Sequence, residues 1–116
     1  MPPDRDRIRL AHMLEHAKEA IHLVEGRNRE DLDTERVLSL ALVRLLEIVG
    51  EAAAKVSPEA RNRYPAVPWP EIVGLRNRLI HGYDSVDFDI LWHIVEDDFP
   101  ALVHELSAGP DLRDAH

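Results

Sequence analysis

The segment RNRLIHGY, Arg76 to Tyr83, sets an arginine, a histidine and a tyrosine within eight residues, with Gly82 between the last two. An arginine can grip a phosphate or carboxylate through a planar fork of N–H donors. A histidine exchanges a proton near neutral pH because its ordinary pKa lies near 6.5. Two further groups could do acid–base work. Glu47 and Glu51 stand one helical turn apart, and paired carboxylates can act as acid and base. Alternatively they form a solvated strip with Arg44 and Lys55, each helix pair worth a few tenths of a kcal/mol, or one of them anchors Arg76.

His12-Met13-Leu14-Glu15-His16 spells H-x-x-E-H, the inverted zinc-protease pattern. Its two histidines share a helix face, but they fall opposite the apolar stripe, beside Glu15 and Glu19. No third ligand is evident, and the chain is short for a protease cleft. A solvated face is the expected outcome, with no metal. His22, His93 and His104 are isolated and read as structural or surface residues.

The elements that must position these groups are helical throughout. A first helix is expected from about Asp4 to Val24, its stripe being Leu10, Leu14, Ala17, Ile21 and Val24, with Gly26 ending it. Arg27–Leu32 reads as an exposed loop, and Asp33 as the cap of the next helix. That second helix, about Thr34 to Val56, is apolar over most of its circumference, so it is central or faces both a core and a partner chain. Ser57-Pro58 starts a short helix that Pro65 stops. Pro68 or Pro70 opens the motif helix, expected to end near His81 with Gly82 just beyond it. Asp87 caps the last helix, which runs to about Leu106 and is kinked or split by Pro100. The fold class is therefore all-α, an antiparallel bundle of four main helices plus a short one. Residues 1–106 form one domain, and 107–116 a flexible tail.

On an ideal helix Ile72, Val73, Leu75, Leu79 and Ile80 make one apolar face that includes Arg76. A buried arginine there needs an anionic partner, for which Glu47 or Glu51 could serve. His81 lies five residues on, about 140° around the axis. One uninterrupted helix could not aim both side chains at a point. Either the helix end re-aims His81, or two chains share a site. In the bland alternative Arg76 snorkels and His81 only complements the helix C-terminus.

Composition narrows the setting. The chain has 116 residues, 45% of them hydrophobic, enough for one real core. It has no cysteine, hence no disulfide framework. No stretch is long and apolar enough for a membrane span, and the N-terminus MPPDRDRIRL is too charged for a signal peptide. A cytoplasmic protein is expected. The net charge is −8, the wrong sign for a typical nucleic-acid binder. Yet Arg61 to Tyr83 holds four arginines and one acid, Glu71, so a local positive patch is available.

Leu75-Arg76-Asn77-Arg78-Leu79-Ile80-His81-Gly82-Tyr83 closely resembles the R-x-x-x-x-H-x-Y signature of HepT-like toxins of the HEPN superfamily. The upstream stretch LLEIVGEAAAKVSPEARNRYPAVPWPEIVGLRN is similar to that family's central, short and motif helices in order, and DFDILWHIVEDDFPAL to its closing helix. The resemblance implies a HEPN-like bundle that dimerises with its two motifs close together. It implies a metal-independent ribonuclease, the toxin of a toxin–antitoxin pair, needing no cofactor, with RNA and not DNA as substrate. Arg76 and His81 would be the catalytic pair. Tyr83 would carry the AMP that a partner antitoxin, a minimal nucleotidyltransferase, adds to silence the toxin. Asn77 and Arg78 would orient the phosphate or bind backbone, and Glu47 or Glu51 would hold Arg76. A competing reading is a non-catalytic helical module that binds a nucleotide or a nucleotidyltransferase.

Overall fold

A computed structural model describes residues 3–81 and 85–112, with the His81 side chain, Gly82 and Tyr83 outside the described part. The first helix, α1, spans Pro3–Leu23. Gly26 follows with φ 75°, a left-handed conformation that costs glycine little. One face of α1 is buried through Leu10, Met13, Ala17 and Ala20, and Val24 just past its end is buried with them. Helix α3, Arg36–Ala54, buries Leu38, Leu42, Leu45, Leu46, Val49 and Ala53. It packs against α1 on one side, and the two stripes make the centre of the core.

Arg27–Leu32 is not a simple exposed loop. Asp31–Thr34 forms a turn of helix, α2, which buries Leu32. Arg29 ties this segment to a distant part of the chain, donating to Asp89 at 2.6 Å and to Asp33 at 3.1 Å while its guanidinium lies 5.8 Å from the Phe88 ring centroid. The two aspartates hold this guanidinium above its usual pKa, the bond to Asp89 being the larger cause. Asp33 therefore does not cap α3. Glu35 stands at that position, makes no side-chain cap, and pairs with Arg27 instead.

Ser57 caps α4, Pro58–Asn62, accepting from the Ala60 N–H at 3.1 Å, with proline in the first turn as its chemistry requires. Asp6 of α1 fixes this junction. Its carboxylate accepts the Ser57 hydroxyl at 2.6 Å and the Ser57 N–H at 2.9 Å. Those bonds, hydroxyl first, hold the carboxyl below its ordinary pKa against the opposing effect of burial.

The motif helix is split. Trp69–Val73 forms α5 and Leu75–Leu79 forms α6, joined at Gly74. The chain then leaves helical geometry, with Ile80 at φ −96°, ψ 118°. Ile80–His81 is a short strand, β1, antiparallel to Ser85–Val86, β2, in the register Ile80↔Val86 and His81↔Ser85. This corrects the expected helix end near His81: two β-branched residues pair across a hairpin and end the helix two residues early.

Asp87 caps α7, Phe88–His93, accepting from the Ile90 N–H at 3.0 Å. Pro100 acts as expected. The helix opens into a π turn over Ile94–Asp98, where the Phe99 N–H reaches back to the Ile94 carbonyl, and α8, Phe99–Ala108, begins beyond it with proline in its first turn. Past Leu106, where a frayed tail was expected, Leu112 is buried. Asp111 receives two bonds of 3.0 Å from Arg63, and its N–H donates to the Tyr64 hydroxyl at 3.1 Å. Burial pushes the Tyr64 phenol pKa up.

Gly50 decides how closely α5 sits on α3. A Cβ there would lie 3.1 Å from the Ile72 carbonyl oxygen and 3.8 Å from the Leu75 Cβ. Gly50→Val must therefore push α5 and α6 off α3. We expect a loss of about 1–3 kcal/mol, read as a lower urea midpoint at unchanged slope. The Asp6 junction carries a pH signature. Its lowered folded-state pKa means its stabilisation is fully present above about pH 4, the unfolded carboxylate's range, and is lost as pH falls through the lower folded value. Asp6→Ala should cost about 1–2 kcal/mol at pH 7, and the gap to the parent protein should narrow in urea titrations as pH falls below the ordinary carboxylate range.

Candidate active site

Helix α6 presents its residues to three surroundings. Leu75 and Leu79 are buried against the core. Arg76, 100° further round, stands over α3, and Arg78 turns toward the π turn. The expectation that Arg76 is buried is overturned, since its side chain is 68% exposed. The apolar face is real but its buried strip is narrow, Ile72, Leu75 and Leu79, leaving Val73 at the rim at 37% exposure. Arg76 shares that rim.

The carboxylate partner expected for Arg76 is present. Its Nε lies 3.7 Å from Glu47 Oε2. Arg44 Nη1 reaches the same glutamate's Oε1 at 3.4 Å and Glu51 Oε2 at 3.7 Å. These are long, largely solvated contacts, of the kind worth about 0–1 kcal/mol. They orient the guanidinium and cost little to give up. Arg76, Asn77, Glu47, Glu51 and Val73 together line a cleft of 260 Å³, with Gly50 among its walls. A guanidinium so exposed at a cleft, on a weak contact, is available to an incoming anion.

Arg78 does not join that group. It donates to Asp98 Oδ2 at 3.4 Å. Asp98 Oδ1 lies 3.7 Å from His93 Nε2, and His93 Nδ1 sits 2.7 Å from Asp97. Arg78 thus locks α6 to the π turn, with the cleft at Arg76 on another side. Sequence reasoning treated His93 as isolated; the i, i+4 spacing to Asp97 was the available signal.

β1 carries the backbone at His81 out of the helical path. The Ile80↔Val86 pair and the Asp87 N–H bond to the Leu79 carbonyl at 2.9 Å hold the hairpin base. His12 and His16 stand apart from this cleft. Their rings are 6.1 Å apart and edge to face, and His16 Nδ1 hydrogen-bonds the His12 carbonyl at 2.7 Å. Among the described residues, no three His, Asp or Glu side chains are grouped to hold a metal ion. No described helix is long and apolar enough to cross a membrane.

Residues 13–108 match the family model described as ribonuclease HepT-like. A provisionally named RNase of Methanocaldococcus jannaschii is 37% identical over 97 residues, covering 84% of this chain and 89% of the relative. A similarly named RNase of Caldanaerobacter subterraneus is 40% identical over 93 residues, with 80% and 83% covered. A protein of Thermococcus cleftensis, provisionally named ribonuclease HepT, is 38% identical over 93 residues, with 77% and 84% covered. No solved structure matches the chain.

Proposed function

The chain belongs to the HepT-like family of the HEPN superfamily, and on that footing we propose that it is a metal-independent endoribonuclease, the toxin half of a toxin–antitoxin pair. The observation that carries the reading is Arg76: its guanidinium lies open at the cleft mouth on one 3.7 Å contact to Glu47, and the segment holding His81 turns away from the helix directly after it.

RNA supplies its own nucleophile, so cleavage needs no metal. The 2′-oxygen attacks the adjacent phosphorus while the bond from phosphorus to the 5′-oxygen breaks. One imidazole accepts the 2′-hydroxyl proton, and one imidazolium protonates the departing 5′-oxygen. The products are a 2′,3′-cyclic phosphate and a 5′-hydroxyl. Arg76 leaves Glu47 for the phosphate and stabilises the charge that grows on its non-bridging oxygens. Asn77, in the same cleft, can donate to the same group. Glu47 and Glu51 hold Arg76 and Arg44 ready between turnovers. Arg78 supports the site indirectly, by fastening α6.

A homodimer supplies two copies of His81, acid and base together. Val37 and Leu40, 82% and 54% exposed on the outer face of α3, give a second copy an apolar patch on the helix that carries Glu47. Tyr83 is the position for silencing. AMP attached there by a nucleotidyltransferase antitoxin adds a phosphodiester, whose charge and bulk repel substrate. The acidic balance fits a cytoplasmic protein that meets RNA within a larger assembly, such as the ribosome, more than one that attracts it over a distance.

Unmodified protein purified without antitoxin should cleave single-stranded RNA in EDTA. Arg76→Ala should lower kcat/KM about 10²–10³-fold, and His81→Ala at least as much. Tyr83 peptides from cells co-expressing the nucleotidyltransferase should gain the mass of AMP. RNA left intact by the unmodified dimer, with wild type and His81→Ala equally harmless to growth, would overturn the reading.

A further inference from the structure

The cleft at Arg76 does not end at Glu51. Glu51 also lines a second, smaller cleft of 140 Å³, whose other walls include Arg9 and His12 of α1 and Lys55 just past the end of α3. The two hollows share the Glu51 side chain and lie on either side of it across α3. From Glu47 to Lys55 they cover about 12 Å along the helix axis.

The α1 side of the smaller hollow is basic over a longer stretch. Arg5, Arg9, His12 and His16 follow at steps of four, three and four residues, which puts them in one row on a helix. Arg5 and His12 are exposed, and Arg9 and His16 half-buried. The acids Glu15 and Glu19 are exposed, and Glu19, three residues past His16, ends the basic run of the row. His12 thus acquires a setting that neither zinc nor a merely solvated face explains: it lines a small hollow together with Arg9, Lys55 and Glu51, while His16 stands one turn further along α1.

We propose that this row is the path of the RNA strand beyond the cleaved bond, with flanking phosphates on Arg9 and Lys55 and a nucleobase against the His12 ring. The inference rests on the nuclease reading for the identity of the strand. The chemistry is that of single-strand recognition: spaced cations for the backbone, and a flat ring on which any base can stack. It also accounts for an acidic protein holding RNA. Affinity comes from a short basic row beside the cleft, and Glu51 at the junction opposes phosphate there.

The test uses the full chain bearing His81→Ala, so that RNA survives, and a fluorescent single-stranded RNA titrated over a series of salt concentrations. In that background Arg9→Gln with Lys55→Gln should weaken binding about tenfold or more at low salt. The slope of log K against log salt should fall by about 1.4, or about 0.7 per lost phosphate contact. His12→Ala should weaken binding about fivefold or more with the slope unchanged, as loss of stacking requires. Glu51→Gln should tighten it. Lys18→Gln makes the same change of charge on an exposed part of α1 outside the row, and should leave the slope as it was. An Arg9/Lys55 variant with parental affinity and slope, in a protein that still cuts RNA when His81 is restored, overturns the path and leaves the nuclease standing. A His81→Ala chain that binds no RNA also overturns it. Binding that follows the predicted slopes, in a protein whose parent never cuts, upholds the path and removes the nuclease.

Discussion

The contact of α5 with the backbone of α3 at Gly50 controls the geometry of the cleft. With no side chain at that position, the Ile72 carbonyl sits 3.1 Å from where a Cβ would be. The close approach brings Arg76, on the next turn of chain, within reach of Glu47 on α3. It also lets Val73 and Asn77 wall the same cleft. α3 can serve in this way because it is buried on one side only. Its inner residues meet α1 and the core, and its outer face leaves Arg44 and Glu51 exposed with Glu47 part-buried between them.

That exposure sets the character of the ion pairs. A dry arginine–glutamate pair would be expensive to open, since separating it leaves a buried charge uncompensated. The Arg76–Glu47 contact is long and its guanidinium side is exposed, so an anionic ligand can draw Arg76 away at small cost. The tighter contacts lie elsewhere. Arg63 meets Asp111 at 3.0 Å through two nitrogens, and Arg29 meets Asp89 at 2.6 Å. They fasten the C-terminal segment and the residues after the hairpin, where rigidity serves the fold. The bundle thus separates charges that hold the structure from charges that can be recruited.

Local chemistry made much of this legible. The span of α1 follows from its apolar spacing, the start of α4 from Ser57-Pro58, the start of α7 from Asp87, and the break in the last helix from Pro100. Each of these is decided by residues within a turn or two. The hairpin was hidden because strands of two residues are too short to show alternation, and Ile80 continues an apolar helical pattern just as well. The exposure of Arg76 was hidden for a different reason. Helical phase tells which residues share a face but not how much of that face a neighbour covers, and here α3 covers only a strip. Leu32 and the turn around it escaped notice because a single apolar residue among charges carries no periodicity. At the site, the grouping of Arg76 with Glu47 followed from the need to pair a charge. The departure of Arg78 toward Asp98 depended on where the π turn would lie, which nothing local specifies.

The π turn constrains the length of the chain. Its wider loop sets the rotation between α7 and α8, and Phe99, Leu102 and Leu106 face the core only at that rotation. Deleting one residue from 94–98 would remove the extra residue that widens the turn, with Pro100 still unable to donate a hydrogen bond. It would also swing α8 by about 100° and carry those three side chains toward water. Descendants of this gene should therefore accept substitutions in the turn far more readily than a change in its number of residues.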